Sequence, residues 1–96
     1  METSNKAILR YFSHDKCNVC KVLLPKIKEL LNDQFPQMQF EYINIEEKPI
    51  IAANHQVFAA PTILIFFENK EYYRFTRNMS INQLKEAIER PYNLLF

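Results

Sequence analysis

The chain has 96 residues, enough for one domain with a modest core and too few for two. Hydrophobic residues make up 48% of it, so a disordered chain is not expected. Charges of both signs are interspersed to a net charge of +1, a pattern that favours neither a nucleic acid nor an anionic membrane as partner. We therefore expect one domain over residues 1–96.

The first half of the chain alternates between strand and helix patterns. Residues 7–12 form a mostly apolar run, long enough for one buried strand. From residue 17 to about 33, apolar residues recur at the i, i+3, i+4 spacing of an amphipathic helix, which Pro25 should bend or loosen. Residues 39–45 alternate polar and apolar as a strand does, and residues 49–56 predict a short helix opened by a proline.

The second half predicts a hairpin and a closing helix. Residues 61–67 are β-branched and aromatic, residues 68–70 form a turn, and residues 71–76 return as the antiparallel partner. Residues 80–83 read as a capping box that starts the last helix, and Pro91 should stop it. The order strand, helix, strand, helix, strand, strand, helix predicts an α/β domain with a four-stranded mixed sheet flanked by three helices.

The chain contains no glycine. Any position that needs a positive φ must therefore fall to Asn or Asp, which tolerate left-handed geometry better than other residues. Asn32, Asn69 and Asn78 are the natural candidates.

The first residues of the chain and the number of cysteines indicate the cellular compartment of the protein. The first residues lack a basic segment followed by an apolar core, and no apolar run approaches the roughly 20 residues that span a bilayer. One close pair of cysteines does not resemble the disulfide framework of a small secreted protein. We expect no signal peptide, no membrane contact, and a cytoplasmic monomer.

Both cysteines lie where the first strand pattern gives way to the first helix pattern. Thiols at Cys17 and Cys20, three residues apart at a helix start, can close a small disulfide ring with little backbone movement. The same position lowers the pKa of a thiol, because free backbone N–H groups and the helix dipole stabilise a thiolate, and Lys16 adds positive charge. A dithiol redox centre is the leading interpretation, and a pair of structural thiols is the alternative.

Zinc binding is a further alternative. His14, Cys17, Cys20 and His55 could supply ligands, but zinc usually requires a second Cys or His pair at suitable spacing, and none is present. We therefore predict no metal. His14 is expected to be a loop residue that can tune Cys17, and His55 to lie on a solvated helix face.

Taken together, these residues resemble the thioredoxin family. The pair Cys17–Cys20 follows the first core strand, and Pro25 stands five positions after the second cysteine. Residues 60–62, Ala-Pro-Thr, resemble the active-site proline loop, and an apolar strand, a hairpin and a closing helix follow them. The resemblance runs from about residue 8 to residue 90 and implies a thioredoxin-like fold.

The resemblance also implies roles for individual residues. Cys17 would be the attacking thiolate and Cys20 the buried resolving thiol. Pro61 would be a cis-proline packed beside them, and Ala60 would offer its backbone to an extended substrate peptide. The redox-active disulfide Cys17–Cys20 would be the only redox group, with no further cofactor.

Several features depart from the family pattern. Ser13 and Lys16 stand where tryptophan is usual, and residues 18–19 (Asn-Val) lack the proline common between the cysteines. Tyr11 stands where many thioredoxins bury an acid, and Tyr42 where they place a lysine. The usual N-terminal strand and helix have no room before the first strand, so the resemblance is to the minimal, glutaredoxin-sized form of the fold.

The implied function is that of a thiol–disulfide oxidoreductase that reduces protein disulfides, with a reductase or a low-molecular-weight thiol as electron donor. A glutathione-dependent, glutaredoxin-like reductase is one alternative, although the usual Cys-Pro-Tyr-Cys and Thr-Val-Pro sequences are absent. A binding module with vestigial cysteines is another. Because Tyr11 replaces the buried acid, we expect no strong proton acceptor behind Cys20, so that water or His14 takes its proton.

Overall fold

The predicted runs form four strands and three helices in the computed structural model, which describes residues 6–96. The strands are β1 (Ala7–Ser13), β2 (Gln39–Asn44), β3 (Thr62–Phe67) and β4 (Lys70–Thr76). The helices are α1 (Asn18–Gln34), α2 (Pro49–Asn54) and α3 (Ile81–Leu95). The predicted fold class and order of elements are confirmed, and the predicted boundaries lie close to the observed ones except at the end of α3.

The strands form one mixed sheet in the order β2-β1-β3-β4. Strand β1 runs parallel to β2 and antiparallel to β3, and β3 runs antiparallel to β4. Parallel neighbours need a long crossover connection, which α1 provides between β1 and β2. Strand β1 is therefore an inner strand, and its carboxyl end leads directly into the loop before α1.

Successive side chains of β1 point to opposite faces of the sheet and divide the core in two. Leu9 and Tyr11 pack in the cluster that α1 and α3 cover, whereas Ile8 and Phe12 pack with Ala52 of α2 on the other face. All of these side chains are nearly or fully buried. Burial on both faces explains why β1 reads as a continuous apolar run rather than an alternating one.

The hairpin between β3 and β4 shows how the chain turns without glycine. Phe67 pairs with Lys70, which leaves Glu68 and Asn69 as a two-residue loop. Their φ angles are 52° and 70°, and positive φ at both positions is the pattern of a type I′ turn. The expected left-handed geometry of Asn69 is confirmed.

Two other turns take positive φ at residues that the sequence did not indicate. The φ angles of Gln56 and Arg77 are 56° and 68°, whereas the predictions for Asn32 and Asn78 are wrong. Hydrogen bonds to distant residues fix both turns. The guanidinium of Arg74 donates to the Gln56 carbonyl at 3.0 Å, and the Arg77 N–H donates to a carbonyl across the sheet end at 2.8 Å.

Helix α3 continues through Pro91 to Leu95, although the sequence predicted that it would stop at the proline. The Tyr92 ring packs edge-on against Phe35, with ring centroids 5.0 Å apart, and its hydroxyl accepts a hydrogen bond from the Gln37 N–H at 3.0 Å. A proline inside a helix removes one backbone hydrogen bond and crowds the preceding turn. Here the contacts of the following residue hold the last turn in place.

In the part of the chain that the structure describes, no helix is long and apolar enough to cross a membrane. The expectation that the chain has no signal peptide falls largely on residues 1–5, which lie outside the described residues.

His55 does not lie on a solvated helix face, as the sequence predicted. It follows the last turn of α2, is half-buried, and packs edge-on between Phe12 and Phe66, with ring centroids 5.9 Å and 5.8 Å away. Burial, with a further contribution from the positive charge of Arg10, lowers the pKa of His55 below its ordinary value of 6.5. The neutral imidazole is therefore the form that the folded protein favours.

We predict that His55 makes the protein sensitive to acid. Because the pKa of His55 is lower in the folded state, the unfolded chain binds the proton first, and the free energy of unfolding falls as the pH drops below about 6.5. Replacing His55 with Gln should remove this part of the pH dependence and also lower stability at neutral pH through the lost ring contacts. Urea unfolding at about pH 5 and about pH 7 measures both effects.

The variant His14→Gln, at the other histidine of the chain, is the matched control and should keep the pH dependence of the wild type. Parallel loss of stability with acid in the wild type and in His55→Gln would contradict the prediction.

Candidate functional site

Cys17 and Cys20 form a disulfide at the amino end of α1, with their Cα atoms 5.2 Å apart. Cys17 is the N-cap residue of the helix, and its backbone is extended. Its Sγ accepts a hydrogen bond from the Cys20 N–H at 3.1 Å. The sulfur thus satisfies one of the N–H groups that a helix start leaves free, a place usually taken by the oxygen of Ser, Thr, Asp or Asn.

The two cysteines differ in their exposure to solvent. Cys17 keeps 9% of its surface exposed, whereas Cys20 keeps 1% and packs in the core beneath the first turn of α1. Cys17 is therefore the cysteine that a partner molecule can reach more easily.

Two hydrogen bonds to His14 hold the loop from His14 to Lys16. The Cys17 N–H donates to the His14 carbonyl at 3.2 Å, and the Lys16 N–H donates to the Nδ1 atom of His14 at 3.2 Å. His14 is half-buried and Lys16 is exposed. His14 thus shapes the turn that presents Cys17 and lies three positions before it in the chain.

Asn44 ties this loop to the rest of the sheet, a role that the sequence did not reveal. It is 6% exposed at the end of β2, and its amide nitrogen donates to the Asp15 carboxylate at 3.2 Å. Its amide oxygen accepts from the backbone N–H groups of Glu46 and Glu47 at 2.9 Å and 3.2 Å. An Asn at the end of a strand often accepts backbone N–H groups of the residues that follow, as in an Asx-turn, so the turn was predictable, but the bond to Asp15 was not.

Tyr11 lies behind the redox pair. Its side chain is fully buried, and its hydroxyl donates a hydrogen bond to the Cys20 carbonyl at 2.7 Å. Burial, followed by the nearby Tyr42, raises the pKa of Tyr11 to about 12. The hydroxyl therefore stays protonated at physiological pH and acts as a donor, not as a base.

The proline loop lies at the same end of the sheet as the disulfide. Thr62 pairs with Phe12, so Pro61 comes just before β3 where β1 leads into the cysteine loop. The Ala60–Pro61 peptide bond is cis. Ala60 is half-buried and packs against the core cluster that contains both cysteines.

Two hydrogen bonds hold the proline loop. The Thr62 hydroxyl donates to the Ala59 carbonyl at 2.7 Å, and the Arg77 N–H donates to the Pro61 carbonyl at 2.8 Å. The second bond joins the loop to the turn after β4. The structure therefore brings Tyr11, His14 and Lys16 to one end of the sheet together with the cysteines and the proline loop.

The four residues considered as zinc ligands do not form a metal-binding cluster in the described part of the chain. Over residues 6–96 there is no group of three or more His, Cys, Asp or Glu side chains that could hold a metal ion. Cys17 and Cys20 are bonded to each other, and His55 lies against the opposite face of the sheet.

The sequence matches known proteins over most of its length. The model of the family described as thioredoxin matches residues 1–90. Thioredoxin-like protein YdfQ of Bacillus subtilis is 33% identical over 84 residues, which are 88% of this chain and 74% of that protein. Chloroplastic thioredoxin Y of Oryza sativa is 32% identical over 89 residues, 93% of this chain but 53% of its own length, so the chain spans about half of that relative.

A solved structure gives the same result for the fold. Thioredoxin 1 from Thermosipho africanus superposes with a TM-score of 0.83 and is 36% identical. The superposition covers 92% of this chain and 97% of that one.

We predict that Tyr11→Phe destabilises the protein and changes its response to alkali. The variant leaves the Cys20 carbonyl without its buried donor, which costs about 1–3 kcal/mol. Because the pKa of Tyr11 is raised from 10.0 to about 12 in the folded state, its contribution to stability is fully present below about pH 10 and is lost as the pH rises towards 12. Denaturant unfolding at about pH 8 and about pH 11 should show this loss in the wild type and a smaller one in the variant.

Tyr42→Phe is the control, since Tyr42 is a neighbour of Tyr11 in the sheet but is 45% exposed. The prediction would be wrong if the Tyr11 and Tyr42 variants behaved alike.

Proposed function

The chain belongs to the thioredoxin family, and we propose that it reduces disulfide bonds of other proteins by exchange at Cys17 and Cys20. It is a dithiol–disulfide oxidoreductase whose redox-active group is the Cys17–Cys20 disulfide. One observation carries the proposal: the disulfide lies at the start of α1, where the Cys17 sulfur accepts a hydrogen bond from the Cys20 N–H and Cys17 is the more exposed of the two cysteines.

In the first step, the thiolate of reduced Cys17 attacks one sulfur of a substrate disulfide. A bond forms between Cys17 and that sulfur, the substrate bond breaks, and the second substrate sulfur leaves as a thiolate that takes up a proton. The Cys20 N–H and the amino end of α1 favour negative charge on the Cys17 sulfur, and the exposed Lys16 beside it adds to this effect. Cys17 is therefore assigned as the nucleophile.

In the second step, the thiolate of Cys20 attacks Cys17 and restores the disulfide seen in the structure. The substrate's remaining sulfur leaves as a thiol, so two electrons have passed from the protein to the substrate. Cys20 lies within one helical turn of Cys17, and this fixed proximity makes the attack effectively intramolecular. Cys20 is therefore assigned as the resolving thiol.

The proton of Cys20 must leave without help from Tyr11. The Tyr11 hydroxyl is occupied as a donor to the Cys20 carbonyl, and its high pKa prevents it from accepting a proton. Water, or His14 in the preceding loop, is the remaining acceptor. Tyr11 is assigned as a positioning residue that holds the backbone of Cys20.

The substrate is proposed to lie along the proline loop. Ala60 has a backbone fixed by the bonds on either side of it and lies at the disulfide end of the sheet. An extended peptide could pair with it by strand addition, with Pro61 packed beneath the exchanging sulfurs. We therefore propose that Ala60 and Pro61 contact the substrate.

The proposal also covers the electron donor that re-reduces the disulfide and the cellular compartment in which the protein works. A protein reductase or a low-molecular-weight thiol would re-reduce the disulfide, and the glutaredoxin-like alternative is not favoured, because the matching family and relatives are thioredoxins. A reducing compartment such as the cytoplasm suits a chain whose two cysteines form one exchangeable pair. Reduction of insulin with thioredoxin reductase, and separately with glutathione, tests both the activity and the donor.

We predict that Cys20→Ser traps substrates. The variant can form the mixed disulfide at Cys17 but cannot resolve it, so it should accumulate as covalent complexes. Cys17→Ser lacks the nucleophile and should form none. Non-reducing electrophoresis of extracts from cells that produce each variant measures the complexes, and added reductant should release them.

The double variant with both cysteines replaced is the background control. If neither single variant forms complexes and the wild type does not reduce insulin, the protein is a binding module on this fold and the proposal is wrong.

A further inference from the structure

We infer that Arg74 of β4 is a positioning residue for the exchange, which holds the proline loop in the shape that protein substrates require. The inference deepens the proposed function and rests on it. Arg74 acts through residues 55–61, which join α2 to β3 and lead into the proline loop. These residues are called the α2–β3 connection below.

The guanidinium of Arg74 binds the start of the α2–β3 connection. Its Nη2 atom donates to the His55 carbonyl at 2.7 Å, and its Nη1 atom donates to the Gln56 carbonyl at 3.0 Å. The φ angle of Gln56 is 56°, in the left-handed region that residues other than Gly, Asn and Asp rarely adopt. Two bonds from one planar group thus fix the direction in which the chain leaves α2.

Glu71 holds the guanidinium in place. Its carboxylate accepts two hydrogen bonds from Arg74, one from Nε at 2.8 Å and one from Nη2 at 3.0 Å. A bidentate pair of this kind fixes the plane of the guanidinium as well as its position. The hydrogen bond from Arg74 also lowers the pKa of the Glu71 carboxyl below its ordinary value, so the carboxylate is charged at neutral pH.

A bulge in β4 brings Glu71 and Arg74 to one face of the sheet. Residues three apart in a regular strand point to opposite faces. Here Leu64 pairs with Arg74. Phe66 pairs with Glu71, because Tyr72 is an extra residue in the strand. Leu64 and Phe66 both pack in the core cluster on the α2 side, so the bulge turns the carboxylate towards the guanidinium on that side.

Strand β4 also holds the far end of the α2–β3 connection. The N–H of Arg77, three residues after Arg74, donates to the Pro61 carbonyl at 2.8 Å. Ala60, which is proposed to pair with the substrate, lies between these two anchors. One strand therefore sets the position of the substrate-binding backbone from both ends.

The Arg74–Glu71 pair adds little to the free energy of unfolding. The two side chains are 33% and 34% exposed, and ion pairs with this much exposure are weakened by water and salt. Its effect is to select one conformation of the α2–β3 connection. Because a misplacement of about 1 Å can slow a reaction by about 100-fold, loss of the pair should slow the exchange with substrates that lie along the proline loop.

The test compares a protein disulfide with a disulfide too small to lie along the proline loop. Pre-reduced protein is mixed with insulin or with hydroxyethyl disulfide, and acid quenching followed by mass spectrometry gives the rate constant for oxidation of the protein. No external electron donor is needed. Arg74→Gln should slow the exchange with insulin by roughly tenfold and leave that with the small disulfide unchanged. Arg74→Lys keeps the charge but loses the fork, and should lie between Arg74→Gln and the wild type.

Two further variants complete the design. Glu71→Ala releases the plane of the guanidinium and should slow the exchange with insulin alone, and its effect should not add to that of Arg74→Gln in the double variant. Arg10→Gln is the matched control. Arg10 pairs with Leu64 from the other side, and its guanidinium donates to the Glu41 carboxylate at 2.6 Å. It should keep both wild-type rate constants.

The ratio of the two rate constants decides the outcome. An unchanged rate with insulin in Arg74→Gln and Glu71→Ala, or an equal loss with both disulfides, would overturn the inference and leave the proposed function standing. Failure of the pre-reduced wild type to react with insulin would overturn both. If Arg74→Gln does not fold, Arg74→Lys and Glu71→Ala decide by the same ratio.

Discussion

The hydrogen bond from the Tyr11 hydroxyl to the Cys20 carbonyl joins the sheet to the redox pair. Tyr11 lies in β1, which is paired on both sides, so the position of its ring is set by β2 and β3 together. Cys20 lies in the first turn of α1, which a short loop and apolar packing also connect to β1. The bond therefore fixes the sulfur-bearing turn relative to the sheet, and hence relative to the proline loop at the start of β3.

Most of the fold was predictable because its signals are local. The apolar runs of β1 and β3, the amphipathic period of α1 and the capping box at Ser80 each depend on neighbouring residues. The end of α3 was not predictable in this way. Pro91 is a local stop signal, but the turn after it is held by contacts of Tyr92 with a segment more than 50 residues earlier in the chain. Tertiary contacts of this kind override propensity, and sequence patterns do not reveal them.

The candidate site likewise contains features that follow from the local sequence and features that depend on distant contacts. The Cys17–Cys20 pair and its place at a helix start follow from spacing alone, and the proline loop follows from resemblance to the family. The hydrogen bond that holds the cysteine loop to β2 does not follow from the sequence. Asn44 and Asp15 are 29 residues apart, and the pairing of β1 with β2 brings them together. His55 was misplaced for a similar reason: its aromatic neighbours come from two different strands.

Because Tyr11 stands where many thioredoxins bury an acid, the two steps of the proposed exchange differ in the groups that support them. Negative charge on the Cys17 sulfur is favoured by groups that are fixed in the fold, namely the Cys20 N–H and the amino end of α1. Within residues 6–96 no comparable hydrogen bond reaches the Cys20 sulfur, because the pKa of Tyr11 is about 12 and its hydroxyl already donates to a backbone carbonyl. In the proposed exchange, groups fixed in the fold thus favour the first attack, whereas the second would need proton transfer to water or His14, and this transfer would set how long a substrate stays joined to Cys17.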